Sequence, residues 1–411
     1  MRAGDLVART SPCSPTIEPL CHAGSDAIVW KHGRFTLVAW GCVLGFRPPG
    51  GDERYAAAAA RVNELFTALR VEDGVRTWGT GPIAFGSFAF DPDSDDSRVI
   101  VPSTVLGSDG ERTWVTTIGH ECPPPSAPPA VEHSSLRTRR QTSPDEERRW
   151  IGAVVRAREC IRDGLIEKVV LAREARVNAD APFDRARIAR RLAERYPSCY
   201  VFSFDGLVGA SPELLVRRLG SDVESLVLAG SASRGRTPSE DDHARAALLT
   251  SQKDRREHDL AVASVRDSLT SLTNELSLDE IPGVVRLRNV QHLATKARGR
   301  LSEPVSALEV VGRLHPTAAV CGAPTDKALA TIRELEDIDR RRYCGPIGWT
   351  DARGDGEWAV ALRCAEINGR TARAFAGNGI MGDSDPEAEL AETELKFSAL
   401  LAALGTKEPA G

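Results

Sequence analysis

The chain has 411 residues, 41% of them hydrophobic and 27% charged, an ordinary globular balance with enough apolar residues for a sizeable core. A net charge of −5, mixed in sign along the chain, gives no reason to expect nucleic acid or a membrane surface as partner. No apolar run approaches the ~20 residues of a spanning helix. The first residues lack the apolar stretch of a signal peptide, and the nine cysteines form no CxxC pair, so a reducing, cytoplasmic setting without structural zinc or disulfides is expected.

Residues 1–142 read as a β-rich part ending in a connector. DAIVW, RFTLVAWG, GPIAFGSFAFD, RVIVPSTVLG and RTWVTTIG are short apolar runs broken by Gly, Pro and Asp, which predicts antiparallel strands. Phe35 to Phe46 is read as strand, and AAAAARVNELFTAL predicts a helix over about 52–70. No catalytic constellation stands out here, so the expected role is scaffolding. Glu121 to Arg140, rich in proline and serine and without periodicity, is expected to be a surface connector.

Residues 143–411 carry the chemistry. Ser143-Pro144-Asp145-Glu146 predicts a helix start with a capping box and Pro at the first helical position. Trp150, Ile151, Val154, Val155 and Ile161 would form its apolar face and Gly164 its end. EKVVLARE (167–174) alternates as a strand and puts Lys168 on one face with Val170 and Ala172. Burial there lowers a lysine pKa; to serve as a base near neutrality it must fall by about three units, roughly 4 kcal/mol of environment. The segment alone equally describes an edge-strand lysine with its head in water. After a helix at about 184–195, CYVFSFDGLVGASPELLV predicts a hairpin turning at Asp205-Gly206, with Gly206 to Val216 as its second arm. Glu213, between Ser211-Pro212 and an apolar run, is a candidate for a partly buried carboxyl with a raised pKa, able to donate a proton.

LVLAGSASRGR (226–236) reads as a strand running into a loop, with Gly230 and Ser231 placed to offer donors to an anion. A helix from Ser251 to Leu269 turns Glu257 to the side of Leu260, Ala261 and Ser264; the plainer reading pairs it with Lys253 or Arg256. A strand over 286–301 contains His292. LHPTAAVCGAPTDKALATIRELE (314–336) predicts a loop and then a helix capped near Thr325, and 341–351 and 356–364 predict two strands joined by a turn. From Leu362 to Lys396 the pattern predicts a hairpin bending at Asn368-Gly369 whose second strand, Thr371 to Ala376, ends in a Gly377-Asn378-Gly379 loop. Asp385-Pro386 then starts a helix on which Glu389, Glu392 and Lys396 share a face. With Arg363 on the hairpin, this set suits an anionic ligand and a hard metal ion, although Glu392 and Lys396 are equally an i,i+4 surface pair of about 0.2–0.5 kcal/mol. Gly377, Gly379 and Gly382 spell G-x-G-x-x-G, but too little chain follows for the further parallel strand a dinucleotide fold requires.

Taken together, EKVVLARE, SPELLV, LAGSASRGR, SQKDRREH, VQHL, LHPTAAVCG, YCGPIGW, ALRCAEI, GNGIMGDSDP and ETELK, in that order, resemble the chorismate-utilising enzymes, the family of isochorismate, salicylate, anthranilate and aminodeoxychorismate synthases. The resemblance spans about residues 143–404, with a weaker match before it. It implies an α+β fold, a single large domain of the anthranilate synthase type with antiparallel sheets flanked by helices, in which 143–411 is the chorismate-binding catalytic part. It implies Mg²⁺ held at the positions of Glu257 and Glu392, with Glu389 a near neighbour, a preference that suits a hard cation. It implies that the enolpyruvyl carboxylate meets Arg363 and the backbone around Gly377 and Gly379, with Tyr343 assisting, and that Lys396, Gly230 and Ser231 complete the binding set. His292 is given an orienting role near the ring. In the family, lysine at the position of Lys168 marks water as nucleophile, where ammonia-using relatives commonly carry glutamine. Alanine at the position of Ala319 resembles isochorismate synthases, where the pyruvate-eliminating lyases typically carry threonine. The expectation is an isochorismate synthase, an isomerase with Lys168 as general base and Glu213 as general acid, working as a monomer in siderophore or menaquinone biosynthesis. The alternatives are a salicylate synthase, an ammonia-using synthase subunit, and a chorismate-binding protein without activity.

Overall fold

The structure, a computed structural model, describes residues 6–119, 136–141 and 143–406. The first part contains β1 (Val7–Cys13), β2 (Ile28–His32), β3 (Phe35–Trp40), β4 (Leu44–Phe46), α1 (Arg54–Ala68), β5 (Arg70–Asp73), β6 (Ile83–Ser87), β7 (Arg98–Val101), β8 (Thr104–Ser108) and β9 (Thr113–Ile118). There follow β10 (Thr138–Arg140), α2 (Pro144–Arg162), β11 (Lys168–Ala179), α3 (Arg185–Arg195), β12 (Tyr200–Phe204), β13 (Leu207–Ser211), β14 (Leu214–Leu219) and β15 (Asp222–Ser233). Next come α4 (Pro238–Thr250), α5 (Gln252–Thr270), β16 (Thr273–Leu278), β17 (Gly283–Arg286), β18 (Val290–Leu301), α6 (Ala307–Leu314), β19 (Gly322–Ala323) and α7 (Thr325–Leu335). The chain ends with β20 (Pro346–Asp351), β21 (Gly356–Val360), β22 (Cys364–Asn368), β23 (Thr371–Ile380) and α8 (Pro386–Ala403). None of the described helices is long and apolar enough to cross a membrane.

Two sheets organise these elements. The larger runs β10-β11-β23-β22-β13-β12-β2-β3-β8-β9-β1-β5, and the smaller β16-β18-β15-β14-β21-β20-β6-β7-β4, with β19 joined to β11 and β17 to β18. Pairing is antiparallel except between β1 and β5. Strands from both parts of the chain enter both sheets. The main core lies between the sheets, where Trp30, Leu37 and Phe202 of the larger meet Phe85, Val216, Trp349 and Trp358 of the smaller. Because side chains alternate along a strand, Val29, Val38 and Val201 point to the opposite face and pack with Ile188 and Leu192 of α3 and Phe397 and Leu400 of α8. The larger sheet is thus covered on both sides, as the α+β expectation requires.

Several local expectations change. Phe35–Phe46 is two strands, β3 and β4, broken at Gly41, whose φ is +71°. Gly206–Val216 is also two, because the chain leaves the larger sheet after Ser211 and enters the smaller at Leu214. Proline at 212 lacks the N–H that a continuing ladder would need. Of the expected connector, Thr138–Arg140 forms a strand on β11, while 120–135 lie outside the described residues. Ser143 caps α2 by accepting from Asp145 N, and α2 ends at Gly164 (φ +74°), but Val155 is 39% exposed and off the apolar face. Thr325 is the first residue of α7, with Pro324 in the cap position. Helices α4 and α6 were not anticipated. Gly377-Asn378-Gly379 is not a loop: all three lie inside β23, opposite Ala172, Leu171 and Val170.

One buried ion pair fastens β11 to the loop before α7. Arg340, 4% exposed, donates to Val170 O at 2.6 Å, Val320 O at 3.0 Å and Glu336 Oε2 at 2.8 Å. Glu336 in turn accepts from Ala172 N at 2.7 Å. Removing one partner strands the other charge in the interior, which costs far more than the pair contributes net. Arg340→Met should therefore lower unfolding stability by about 3–5 kcal/mol in urea titrations, and the double variant with Glu336→Met should recover a large part of it.

Candidate active site

The two sheets exchange strands at two neighbouring points, and each crossing delivers a charged side chain. β13 passes to β14 through Pro212-Glu213, and β21 passes to β22 through Ala361, Leu362 and Arg363, whose φ is +48°. Glu213 N donates to Ser211 Oγ at 3.2 Å, and Glu213 O accepts from Val360 N at 3.2 Å, so the two crossings are bonded to each other. Glu213 is 5% exposed; burial pushes its carboxyl up to about 8, with the Lys168 ammonium opposing the rise. The expected proton donor is therefore protonated at neutral pH.

One cavity at these crossings is lined by Glu213, Gly230, Ser231, Glu257, His292, Ala319, Tyr343, Arg363, Gly377, Gly379, Glu389, Glu392 and Lys396. Lys168 is placed differently. It is fully buried on β11, with β23 and β19 as neighbours rather than solvent, and it sits one layer behind the wall. The edge-strand alternative is thereby removed. Its Nζ lies 3.3 Å from Glu257 Oε1 and makes no hydrogen bond among the described residues. The surface-pair readings of Glu257 with Lys253 or Arg256 give way to this pairing with Lys168.

Three carboxylates of the cavity each face an ammonium. Glu257 faces Lys168; Glu389 meets Lys253 at 2.8 Å; Glu392 meets Lys396 at 2.7 Å. Glu389 is buried, which raises its pKa, with Lys253 opposing and Glu392 adding to the rise. Asn378 Nδ2 donates to Glu389 Oε2 at 2.9 Å and its Oδ1 accepts from Lys396 at 2.7 Å, linking two of the pairs; Lys396 also donates to Gly377 O at 2.9 Å. As arranged, no three acidic, His or Cys side chains among the described residues close into a metal cluster.

The glycines of β23 serve space rather than turning. A Cβ on Gly379 would lie 2.0 Å from Glu257 Oε1 and 2.8 Å from Lys168 Cε, and one on Gly377 would lie 2.6 Å from Leu171 O and 3.2 Å from the Tyr343 hydroxyl. β22 stops pairing with β23 at Ala374, leaving Gly377 and Gly379 with a strand on one side only. Tyr343 stacks on Phe375 of that strand at 5.1 Å and 13°. Gly230 does require its freedom: it has φ +73° at a bulge in β15, and a Cβ there would meet Asp254 at 3.1 Å.

Two residues beside the cavity were given no part in the site by the sequence reading, which named Lys253 only as a surface partner of Glu257. Lys253 lies one helical turn before Glu257, a spacing that already put both on one side. His258 follows Glu257; its Nδ1 lies 3.1 Å from Ala229 O and its Nε2 2.7 Å from Thr295 Oγ1. A carbonyl only accepts, so Nδ1 carries the proton and Thr295 donates to Nε2. Burial lowers the His258 pKa to about 4, and the neutral ring ties α5 to the Gly230 bulge. Gly379→Ala should separate Glu257 from Lys168 and reduce turnover at least about 100-fold, a loss of the size expected when a proton-transfer group is misplaced. Unchanged circular dichroism would confirm that the loss is local.

The chain matches the family model described as chorismate binding enzyme over residues 21–405. It is 41% identical over 257 residues to the isochorismate synthase DhbC of Bacillus subtilis, covering 60% of this chain and 65% of that protein. It is 34% identical to the salicylate biosynthesis isochorismate synthase of Pseudomonas aeruginosa, over 97% of this chain and 90% of that one. Among solved structures, the menaquinone-specific isochorismate synthase MenF of Escherichia coli shares the fold, with a TM-score of 0.81, 24% identity and coverage of 97% of this chain and 94% of that one. A family match over nearly the whole chain, with relatives above 30% identity along most of their length, places this protein among the chorismate-binding enzymes.

Proposed function

We propose that this chain is an isochorismate synthase, an isomerase that adds water at ring C2 of chorismate and releases the C4 hydroxyl, with Mg²⁺ as its cofactor. The observation that carries the reading is one cavity lined by a protonated Glu213, Arg363 and three glutamates, with the Lys168 Nζ 3.3 Å behind Glu257 of its wall. The names of the relatives support the same reaction. Ala319 on the cavity wall supports stopping at isochorismate rather than eliminating pyruvate.

The chemistry follows from the chain's own groups. Arg363 and Lys396 offer positive charge to the substrate's carboxylates, and the open edge of β23 at Gly377 and Gly379 lets the substrate approach the backbone. Lys168, once its ammonium has passed a proton to solvent, takes a proton as the free amine from the water whose oxygen bonds to C2. The ring double bond shifts, the C4–O bond breaks, and Glu213 delivers its proton to the departing oxygen, which leaves as water. One proton is taken up at Lys168 and one released at Glu213, so the reaction is balanced and the pair resets through solvent. Glu257 covers Lys168 at 3.3 Å, so the proposed role of the amine requires that this side chain turn aside. Glu257, Glu389 and Glu392 all line the cavity and, on leaving the ammonium group that each faces, would be the oxygen donors for a Mg²⁺ completed by waters and substrate oxygens. When bound, the ion would neutralise the charge of the ring carboxylate.

Incubation with chorismate and Mg²⁺ should yield isochorismate by chromatography, with no stoichiometric pyruvate; pyruvate as the main product would establish a lyase instead. Lys168→Met and Glu213→Gln should each lower kcat by roughly 10²–10⁴-fold. The rate should decline as pH rises through about 8, where Glu213 loses its proton. Stability should follow the same group. Its folded pKa of about 8 lies above the ordinary value of 4.5, so its contribution is complete below about 4.5 and is lost as pH rises to about 8. Glu213→Gln should remove that component, roughly 1.4 kcal/mol for each pH unit between the two values, and so be the more stable protein at alkaline pH.

A further inference from the structure

The bulge bearing Gly230 and Ser231 is bonded to an imidazole whose proton position is dictated by its other neighbour. His292 lies opposite Ser231 in the β15–β18 register and is 6% exposed. Its Nε2 is 3.2 Å from Arg363 Nη2, and its Nδ1 is 2.9 Å from Ser231 Oγ. A guanidinium only donates, so Nε2 is the acceptor and carries no proton. An imidazolium would aim a second N–H at that guanidinium, and it is opposed further by burial and by the charges of Arg363 and Lys396, which together outweigh a backbone hydrogen bond to Gly230. The ring is neutral with its proton on Nδ1, and Nδ1–H donates to Ser231 Oγ. With that lone pair occupied and no other hydrogen bond from Oγ among the described residues, the hydroxyl proton of Ser231 is left for the cavity it lines.

We propose that His292 is a positioning residue: held as the Nδ1–H tautomer by Arg363, it turns the Ser231 hydroxyl into a hydrogen-bond donor aimed at an anionic oxygen of the substrate. The opposite tautomer would tie the Ser231 proton to the ring and present only lone pairs to the cavity, which repel a carboxylate. Arg363 acts twice, directly as a cation and through His292 as the group that sets a neutral donor. The proposal rests on the reading that this cavity takes the dicarboxylate chorismate.

Two readouts on the full chain test it. Nitrogen NMR of protein with ¹⁵N-labelled histidine, without substrate, should show a His292 signal with Nδ1 protonated and Nε2 bare, assigned by its disappearance in His292→Gln. A bare Nδ1 would overturn the relay. In steady-state kinetics with chorismate, Ser231→Ala and His292→Gln should each raise KM about 10-fold or more, the range for a hydrogen bond to a charged partner. The double variant should be no more than about threefold worse than either, because both changes remove one donor. Multiplying losses would contradict the coupling. His292→Asn, whose amide N–H₂ reaches the Nδ1 position, should return KM toward the parent value, and no recovery relative to His292→Gln would count against the proposal. Thermal melts of each variant separate misfolding from these effects. Because the nitrogen spectrum needs no substrate, a wrong tautomer and a wrong substrate are told apart.

Discussion

Charge brought out of water has to be matched, and the centre of this fold is built around that constraint. Glu257, Glu389 and Glu392 each meet one lysine, and two of the three pairs are bridged by Asn378. Isolated, each of these ions would carry a desolvation cost of several kcal/mol; in pairs the cavity tolerates them. Glu213 has no such partner in contact among the described residues and meets the constraint in the other way, by keeping its proton. One set of residues thereby supplies both ionised groups, suited to anions and a cation, and a neutral acid, suited to proton transfer.

The two sheets make this placement possible. A side chain on an ordinary strand belongs to one face of one sheet. At Pro212-Glu213 and at Ala361–Arg363 the chain leaves one sheet for the other, and residues at those steps face the seam between them. The Glu336–Arg340 pair holds Val170 and Val320, and so keeps the strand of Lys168 and the loop of Ala319 in register with that seam. On the far side, His258 and His292 hold the bulge of β15 from either flank, each as a neutral ring.

Much of the fold was legible because strands and helices announce themselves by period and punctuation. The start of α8 at Asp385-Pro386, the turn at Asp205-Gly206 (φ +46° and +87°) and the end of α2 at Gly164 all lie where local chemistry put them. The misreadings share a cause. Gly377-Asn378-Gly379 looks like a loop because glycine usually signals backbone freedom. Here the backbone is an ordinary strand, and what matters is the missing Cβ beside Glu257 and Tyr343. Sequence does not separate those two uses of glycine. Nor does it show that Ser211-Pro212 marks a change of sheet rather than a kink, or that Lys168 is sealed behind Glu257 instead of facing the ligand. Those facts depend on contacts between residues far apart in the chain, such as Trp30 Nε1 donating to Glu357 at 2.9 Å across the sheets. The residues lining the cavity could be named one by one from their motifs as candidates, whereas their pairing into three opposed charges could not.

The central claim is that this seam adds one water and expels one hydroxyl. Turnover of chorismate in H₂¹⁸O, with mass analysis of the isochorismate formed in the first minutes, tests it most directly. The account predicts one ¹⁸O in the new C2 hydroxyl of each product molecule. Product formed at the full rate without label would mean that the hydroxyl migrates within the substrate, and the roles given to Lys168 and Glu213 would be contradicted.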